Sequence, residues 1–231
     1  MIQSRYDDIF PLAKPKLIIY FCHKIRYKKM KNDIYNAEIS LGKSMLGGIG
    51  KSVAVLCSSS IKEGTPHYDK GVETGYALGL AGYAVVTGGG PGLMEAVNKG
   101  AQQSGGKSVG MCMKFPGVFI QNEYIDPQYN VVLTNMAARK QLFWDMATAF
   151  VALPGGYGTL DEITECMTLM QMGIVKRRPI ILQDAEFWKP FVSWLRDELL
   201  AEYKVIKDDD LSYVHLSATP DETVEIIKKS I

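Results

Sequence analysis

From Lys51 onward the apolar residues fall into short unbroken runs separated by longer amphipathic stretches. The runs Ser52–Cys57, Tyr83–Thr87, Ser108–Met113, Tyr129–Leu133, Phe150–Leu153, Pro179–Leu182 and Tyr213–Leu216 read as strands. Continuous rather than alternating hydrophobicity is the pattern of a parallel sheet covered on both faces. Between the strands the spacing predicts helices over Pro66–Ala81, Leu93–Gln103, Met136–Ala147, Leu160–Met172, Phe187–Tyr203 and Asp221–Lys229. Pro66 suits a first helical turn, and Gly82 and Gly105-Gly106 suit helix ends. A loop containing Pro, Gly and Asn follows Met113. This strict alternation predicts an α/β fold, a doubly wound parallel sheet in a single domain over residues 51–231. Ligands of such sheets bind beyond the carboxyl ends of the strands.

Residues 1–50 break the rhythm. An apolar run, Leu17–Cys22, precedes a basic cluster of Lys24, Arg26, Lys28, Lys29 and Lys31, and then a helix is expected over Ile39–Leu46, ended by Gly47 and Gly48. The cluster reads more readily as a solvated helix face than as a contact for an anionic partner. The segment is an N-terminal extension with no role legible in its residues.

Composition narrows the class. Of 231 residues, 47% are hydrophobic and 22% charged, enough for a sizeable core. A formal charge of +1 argues against a protein built on non-specific nucleic-acid binding. Cys22, Cys57, Cys112 and Cys166 are scattered with no CxxC, so neither a disulfide framework nor a zinc site is expected, and a reducing compartment fits. The longest uncharged stretch, Thr74–Met94, holds seven glycines and a proline, which excludes a membrane helix. Arg5, Asp7 and Asp8 precede any apolar run, against a signal peptide. The expectation is a soluble cytoplasmic protein without a membrane or nucleic-acid partner.

Two Gly-Lys-Ser segments, Gly47–Ser52 and Gly105–Ser108, resemble phosphate-binding P-loops, but Met45 and Ala101 stand where the leading glycine belongs, and each lysine leads into a strand instead of a helix. Thr87-Gly88-Gly89-Gly90-Pro91-Gly92 lies between a strand and a helix, the right context for an anion. Leu93 replaces the third glycine of a dinucleotide fingerprint, and no acidic residue follows at the ribose distance. Ser58-Ser59, ending the first strand, suits a further phosphate contact or a polar turn.

The strongest signal is Pro154-Gly155-Gly156-Tyr157-Gly158-Thr159-Leu160-Asp161-Glu162, which also follows a strand and opens a helix. Three glycines let the backbone approach a ligand and expose amides. Thr159 suits the N-cap, and Thr159 with Glu162 matches a capping box; Asp161 could simply favour the helix dipole. On a helical wheel, Met136, Leu142, Phe143, Trp144, Met146 and Ala147 form an apolar arc, and Ala138, Gln141 and Asp145 the polar one. Arg139 and Lys140 fall within the apolar arc, where a charge must be paired, with Glu162 and Glu165 as candidate partners, or reach a bound anion. Phosphate-cradling loops, an inward Arg-Lys pair and a rim carboxylate suggest a phosphorylated small molecule, with the carboxylate acting on a sugar through an oxocarbenium-like state. Met167, Met170 and Met172, with Leu169 and Ile174, read as core more readily than as interface.

The segments Gly88–Ala96, Arg139-Lys140 and Pro154–Glu162 resemble the LOG family, whose members were long labelled possible lysine decarboxylases, and the similarity covers roughly Lys51 to the C-terminus. The resemblance implies a Rossmann-like fold, a homodimer or higher homo-oligomer, and hydrolysis of nucleoside 5'-monophosphates, including cytokinin ribotides in some members, to free base and ribose 5-phosphate. It further implies Arg139 and Glu162 as the catalytic pair and no metal or organic cofactor. Lys140, Gly155, Gly156, Gly158 and Thr159 would hold the nucleotide, and Thr168 would line the base or the partner subunit. With Ser58, Gly88, Gly89, Gly90, Gly92, Tyr157 and Asp161, these complete the expected substrate-binding set. The alternative is a non-catalytic carrier of a phosphorylated cofactor such as molybdenum cofactor. The chain departs from the family after the third strand, where relatives carry an acid just past a proline and this chain has Phe115-Pro116-Gly117-Val118, with Glu123 the nearest acid. Decarboxylation would need a lysine selected for a pyridoxal Schiff base, and none stands out.

Overall fold

A computed structural model describes residues 15–231, with side chains from Lys31 onward except that of Val118. The expectations drawn from Arg5, Asp7 and Asp8, and from the side chains of Leu17–Lys29, lie outside the described parts.

The chain opens with α1 (Pro15–Leu46), a 32-residue helix where the sequence predicts only its last turns. Pro15 suits a first turn, and no proline or glycine interrupts the stretch before Gly42. Then follow β1 (Ser52–Leu56), α2 (Pro66–Leu80), β2 (Ala84–Thr87), α3 (Leu93–Gln103), β3 (Ser108–Phe115), β4 (Val118–Phe119), a 3-10 turn (Pro127–Tyr129) and β5 (Asn130–Leu133). The second half holds α4 (Met136–Met146), β6 (Ala149–Ala152), α5 (Tyr157–Gln171), β7 (Ile180–Gln183), α6 (Ala185–Trp194), a π-helical continuation (Leu195–Glu202), α7 (Asp208–Leu211), β8 (Val214–Ser217) and α8 (Pro220–Ser230). The short β4, the 3-10 turn and α7 carry no periodic signal and escape the sequence reading.

Seven strands form the parallel sheet in the order β5-β3-β2-β1-β6-β7-β8. β4 turns back antiparallel on the end of β3, Lys114 opposite Phe119. The architecture is the Rossmann-like doubly wound fold expected from the alternation. The chain winds outward one way from β1 through β2, β3 and β5, then returns to β1's other side with β6. The sheet therefore has its switch point between β1 and β6, where the carboxyl ends open a crevice.

Alternate residues of each strand feed two cores. Ala54 and Leu56 face a layer holding Trp144, Phe150, Ile163 and Trp188, whereas Val53 and Val55 face one holding Leu78, Leu93, Val97 and Ile227. Leu46 and Ile49 join the first layer, so the end of α1 is built into the core. In the second layer α2 and α3 cross at backbone distance: a Cβ on Gly75 would lie 1.9 Å from the Val97 carbonyl oxygen, and one on Gly100 would lie 1.9 Å from that of Val72.

Three local expectations are corrected. Helix α5 begins at Tyr157 with Gly156 as its cap, so Thr159 sits in the first turn and is not the N-cap. Ala138 is fully buried and Met136 is 43% exposed, the reverse of their places on the wheel. The methionine run divides: Met170 is buried, whereas Met172 is exposed. Among the described residues, no helix is long and apolar enough to cross a membrane.

Candidate active site

The ends of β1, β2 and β6 converge on a cavity of about 390 Å³ at the switch point. Ser58, Ser59 and Ser60 line it from the end of β1, Gly88 and Met94 from the loop and helix after β2, and Gly156, Tyr157, Gly158 and Thr159 from the start of α5. Arg139 and Glu162 complete the wall.

Two helices begin at this cavity with no side-chain cap: α3, preceded by Gly92, and α5, preceded by Gly156. First-turn amides and the positive dipole end are what a helix offers to an anion. The glycines serve differently. A Cβ on Gly88 would meet Met94 Sδ at 2.8 Å and Arg139 Nη2 at 3.3 Å, and Gly92, at φ +72°, would press one on the Ser59 carbonyl at 2.7 Å. These two are required by close approach within the protein. A Cβ on Gly155 would overlap the Thr159 hydroxyl at 2.1 Å. Gly156 and Gly158 differ, because a Cβ on either would meet nothing within 4 Å.

The glycine loop after β2 is held from behind by a buried amide network. Gly89 N–H donates to Thr87 Oγ1 (3.0 Å), Asn122 Nδ2 donates to the Gly90 carbonyl (2.9 Å), and Asn122 N–H to that of Gly89 (2.9 Å). Asn122 Nδ2 also reaches Asn98 Oδ1 at 3.0 Å, and Asn98 in turn donates to Ser108 Oγ at 2.8 Å. Both loop carbonyls are thereby turned toward Asn122. The sequence reading missed Asn122, because nothing local marks it.

Arg139 Nη2 donates to Glu162 Oε1 at 2.6 Å, joining α4 to α5 in the cavity wall. Both side chains are largely buried, and the guanidinium lies 5.6 Å over the Phe143 ring. Arg139 Nε is buried with no hydrogen-bond partner. Burial pushes the Glu162 carboxyl above its ordinary value, opposed by the charge and hydrogen bond of Arg139. Burial also pushes up the Cys57 thiol, which lines the cavity, with Glu162 adding to the shift. Cys112, behind the Gly89 loop, is raised by burial to about 11 against the pull of Arg139.

Other expected site residues stand apart from the cavity. Lys140 pairs with Asp161 at 3.0 Å and with Glu165. Burial works against the Lys140 ammonium, but these carboxylates outweigh it and hold its pKa above the ordinary value. Gly89, Gly90, Gly92 and Gly155 shape the loops from behind. Thr168 Oγ1 donates to the Thr164 carbonyl at 2.8 Å and lines a separate apolar pocket with Trp194 and Tyr213. The capping-box reading of Glu162 is overturned, because α5 starts upstream of Thr159 and the carboxylate is turned to Arg139.

Fold and site define a Rossmann-like α/β protein with a cleft at the switch point, walled by two open helix ends and a buried guanidinium–carboxylate pair. The chain belongs to the LOG family: residues 94–227 match the family described as "possible lysine decarboxylase". It is 32% identical over 161 residues to the cytokinin riboside 5'-monophosphate phosphoribohydrolase LOG of rice (Oryza sativa subsp. japonica), covering 68% of this chain and 65% of that protein, just under two thirds. The enzyme of the same name from Rhodococcoides fascians is 30% identical over 63% of this chain and 74% of its own length. Among solved structures, the structural-genomics target TM1055 superposes with TM-score 0.59 at 26% identity, over 78% of this chain and 99% of its own. The molybdenum cofactor binding protein of Rippkaea orientalis gives TM-score 0.57 at 19% identity over 78% of this chain and 96% of that one, a likeness of fold.

Proposed function

We propose that this chain hydrolyses the N-glycosidic bond of nucleoside 5'-monophosphates, releasing free base and ribose 5-phosphate. The observation that carries the reading is the 2.6 Å Arg139–Glu162 pair set in the wall of a cavity onto which two uncapped helices open. The named activity of the relatives supports it.

In this reading the 5'-phosphate lies against the first-turn amides of α5, the Met94 amide of α3 (that of Leu93 donates to the Ser58 carbonyl at 2.9 Å) and the Ser58 hydroxyl, with the ribose over Glu162. Departure of the base leaves positive charge at the anomeric carbon, and a carboxylate facing it stabilises that charge and orients the attacking water. Arg139 holds the carboxylate in place and presents its guanidinium to the departing base. Lys140, through Asp161 and Glu165, ties α4 to α5 beside the pair. Cytokinin ribotides are candidate substrates within this class. We assign a homodimer or higher homo-oligomer as the working form, with Tyr157, 94% exposed at the cavity mouth, facing the partner or the base.

The test is a panel of nucleoside monophosphates with chromatography for base and ribose 5-phosphate. Wild type should release both, and Glu162→Gln should lose turnover by about 10²–10⁴-fold while keeping its circular dichroism. Tight nucleotide binding without release would replace this reading with that of a carrier for a phosphorylated cofactor.

A further inference from the structure

We propose that Glu38, in the extension before the sheet, is a positioning residue that sets the pose of α4 and through it the Arg139 guanidinium. Its catalytic consequence rests on the function proposed above; its structural content does not.

Glu38 Oε1 accepts from Thr134 N–H at 2.8 Å and Thr134 Oγ1 at 2.5 Å, and Oε2 accepts from Asn135 N–H at 3.0 Å. Asn135 is the N-cap of α4, and its side chain accepts from Ala137 and Ala138 N–H. One carboxylate from α1 thus fixes the two residues that start the helix, with its charge at the positive end of the dipole. Further along, Gly42 gives Leu142 its space, since a Cβ there would sit 2.4 Å from Leu142 Cδ1, and Lys43 Nζ meets Asp145 Oδ2 at 2.7 Å. α1 therefore grips α4 near both ends.

Arg139 N–H donates to the Asn135 carbonyl at 3.0 Å, so Arg139 stands one turn from the residue Glu38 holds. Its partner Glu162 belongs to α5, so the 2.6 Å contact depends on how α4 lies relative to α5. Apolar packing of Leu142, Phe143 and Trp144 is non-directional and tolerates a slide along the helix axis. Three directed hydrogen bonds to one carboxylate do not.

The experiment reads the Glu162 titration by carboxyl NMR and the pH profile of kcat/KM in wild type, Glu38→Ala and Glu38→Gln. The charged and titratable groups facing Glu162 are Arg139 and Lys140 from α4, Asp161 from its own helix and Cys57 from the end of β1. If Glu38→Ala lets the guanidinium drift, the Glu162 midpoint rises, the acid limb of the profile moves up with it, and kcat falls on the order of ten- to a hundredfold with KM little changed. Glu38→Gln, which keeps one acceptor oxygen, should show a smaller shift. Ile227→Ala, a destabilising change under the opposite face of the sheet, should lower Tm without moving the Glu162 midpoint. A Glu38→Ala protein with lowered Tm and an unmoved midpoint overturns the proposal; if that variant does not fold, an unmoved midpoint in Glu38→Gln does so. Should wild type release no base from any nucleotide, the function reading falls, while the NMR arm still decides for Glu38.

Discussion

At the scale of single residues, the glycines of the motif after β6 separate into those that packing requires and those that it does not. Gly155 is bound to its identity by Thr159, whose hydroxyl occupies the space a Cβ would need. Gly158 lies in the first turn of α5 with open space beside it, so the folded chain gives no steric reason for a residue that weakens helices. Opposite outcomes follow. Gly155→Ala should destabilise the protein by about 1–3 kcal/mol through overlap with Thr159. Gly158→Ala should stabilise it by about 0.5–1 kcal/mol yet raise KM for nucleotide severalfold. Chemical unfolding and initial-rate kinetics on the same preparations check both. The motif was visible in the sequence, but this division was not, because it depends on where the Thr159 hydroxyl points. The same holds for Glu162: its spacing from Thr159 is that of a capping box, and only a partner 23 residues upstream on another helix shows where the carboxylate goes.

At the scale of elements, the seven parallel strands and the longer helices between them were legible to within a few residues because a doubly wound sheet writes its burial into the chain, whereas most of α1 and all of β4 and α7 were not. Leu93–Gln103 is found with the predicted bounds. Helix α6 was read as one helix through Tyr203, but past Trp194 it loosens into π-type turns, with Tyr203 N–H donating to the Glu198 carbonyl. Apolar spacing does not distinguish the two windings. The glycine seam between α2 and α3 was likewise missed, since Gly71, Gly75 and Gly79 read as weak helix formers until a facing helix is present. Their function is proximity of two backbones. Gly75→Ala should cost about 3 kcal/mol, because the atom it meets at 1.9 Å is a main-chain oxygen that cannot rotate away. Gly82→Ala is not an equivalent control, since at φ +86° it is strained by its own backbone. Gly158→Ala, similar in chemistry but free of contacts, is the proper comparison in thermal unfolding.

At the scale of the whole molecule, the class of fold was readable, whereas the order of the strands was not. It is that order, β1 beside β6, which brings loops almost a hundred residues apart in sequence to one cleft. Concentrating buried charge there leaves a mark on stability. Burial raises the Glu162 carboxyl from its ordinary 4.5, so the stability tied to this group is full below that value and drains as pH climbs through the raised one. Asp210 has the opposite sign. The Gln171 side chain and the Lys207 amide lower it, so its contribution is present above the ordinary 3.8 and is lost as pH falls through the lowered value. Glu162→Gln removes only the first effect. Relative to wild type, that variant should therefore gain stability as pH climbs from the ordinary 4.5 to the raised value, at a rate of at most ~1.4 kcal/mol per pH unit. This trend rides on a constant penalty for leaving Arg139 unpartnered. Urea unfolding at stepped pH measures it, and a difference that stays flat would mean Glu162 ionises without strain.

The guanidinium–carboxylate contact also sets the field that the cleft presents to solvent. With the positive and negative groups spent on one another, that wall contributes little net charge, and attraction for an anion is left to the helix openings at the rim. In the proposed pose a guest phosphate would meet the amides of those openings, while the carboxylate, still gripped by the guanidinium, would keep one orientation from arrival of the guest to its departure.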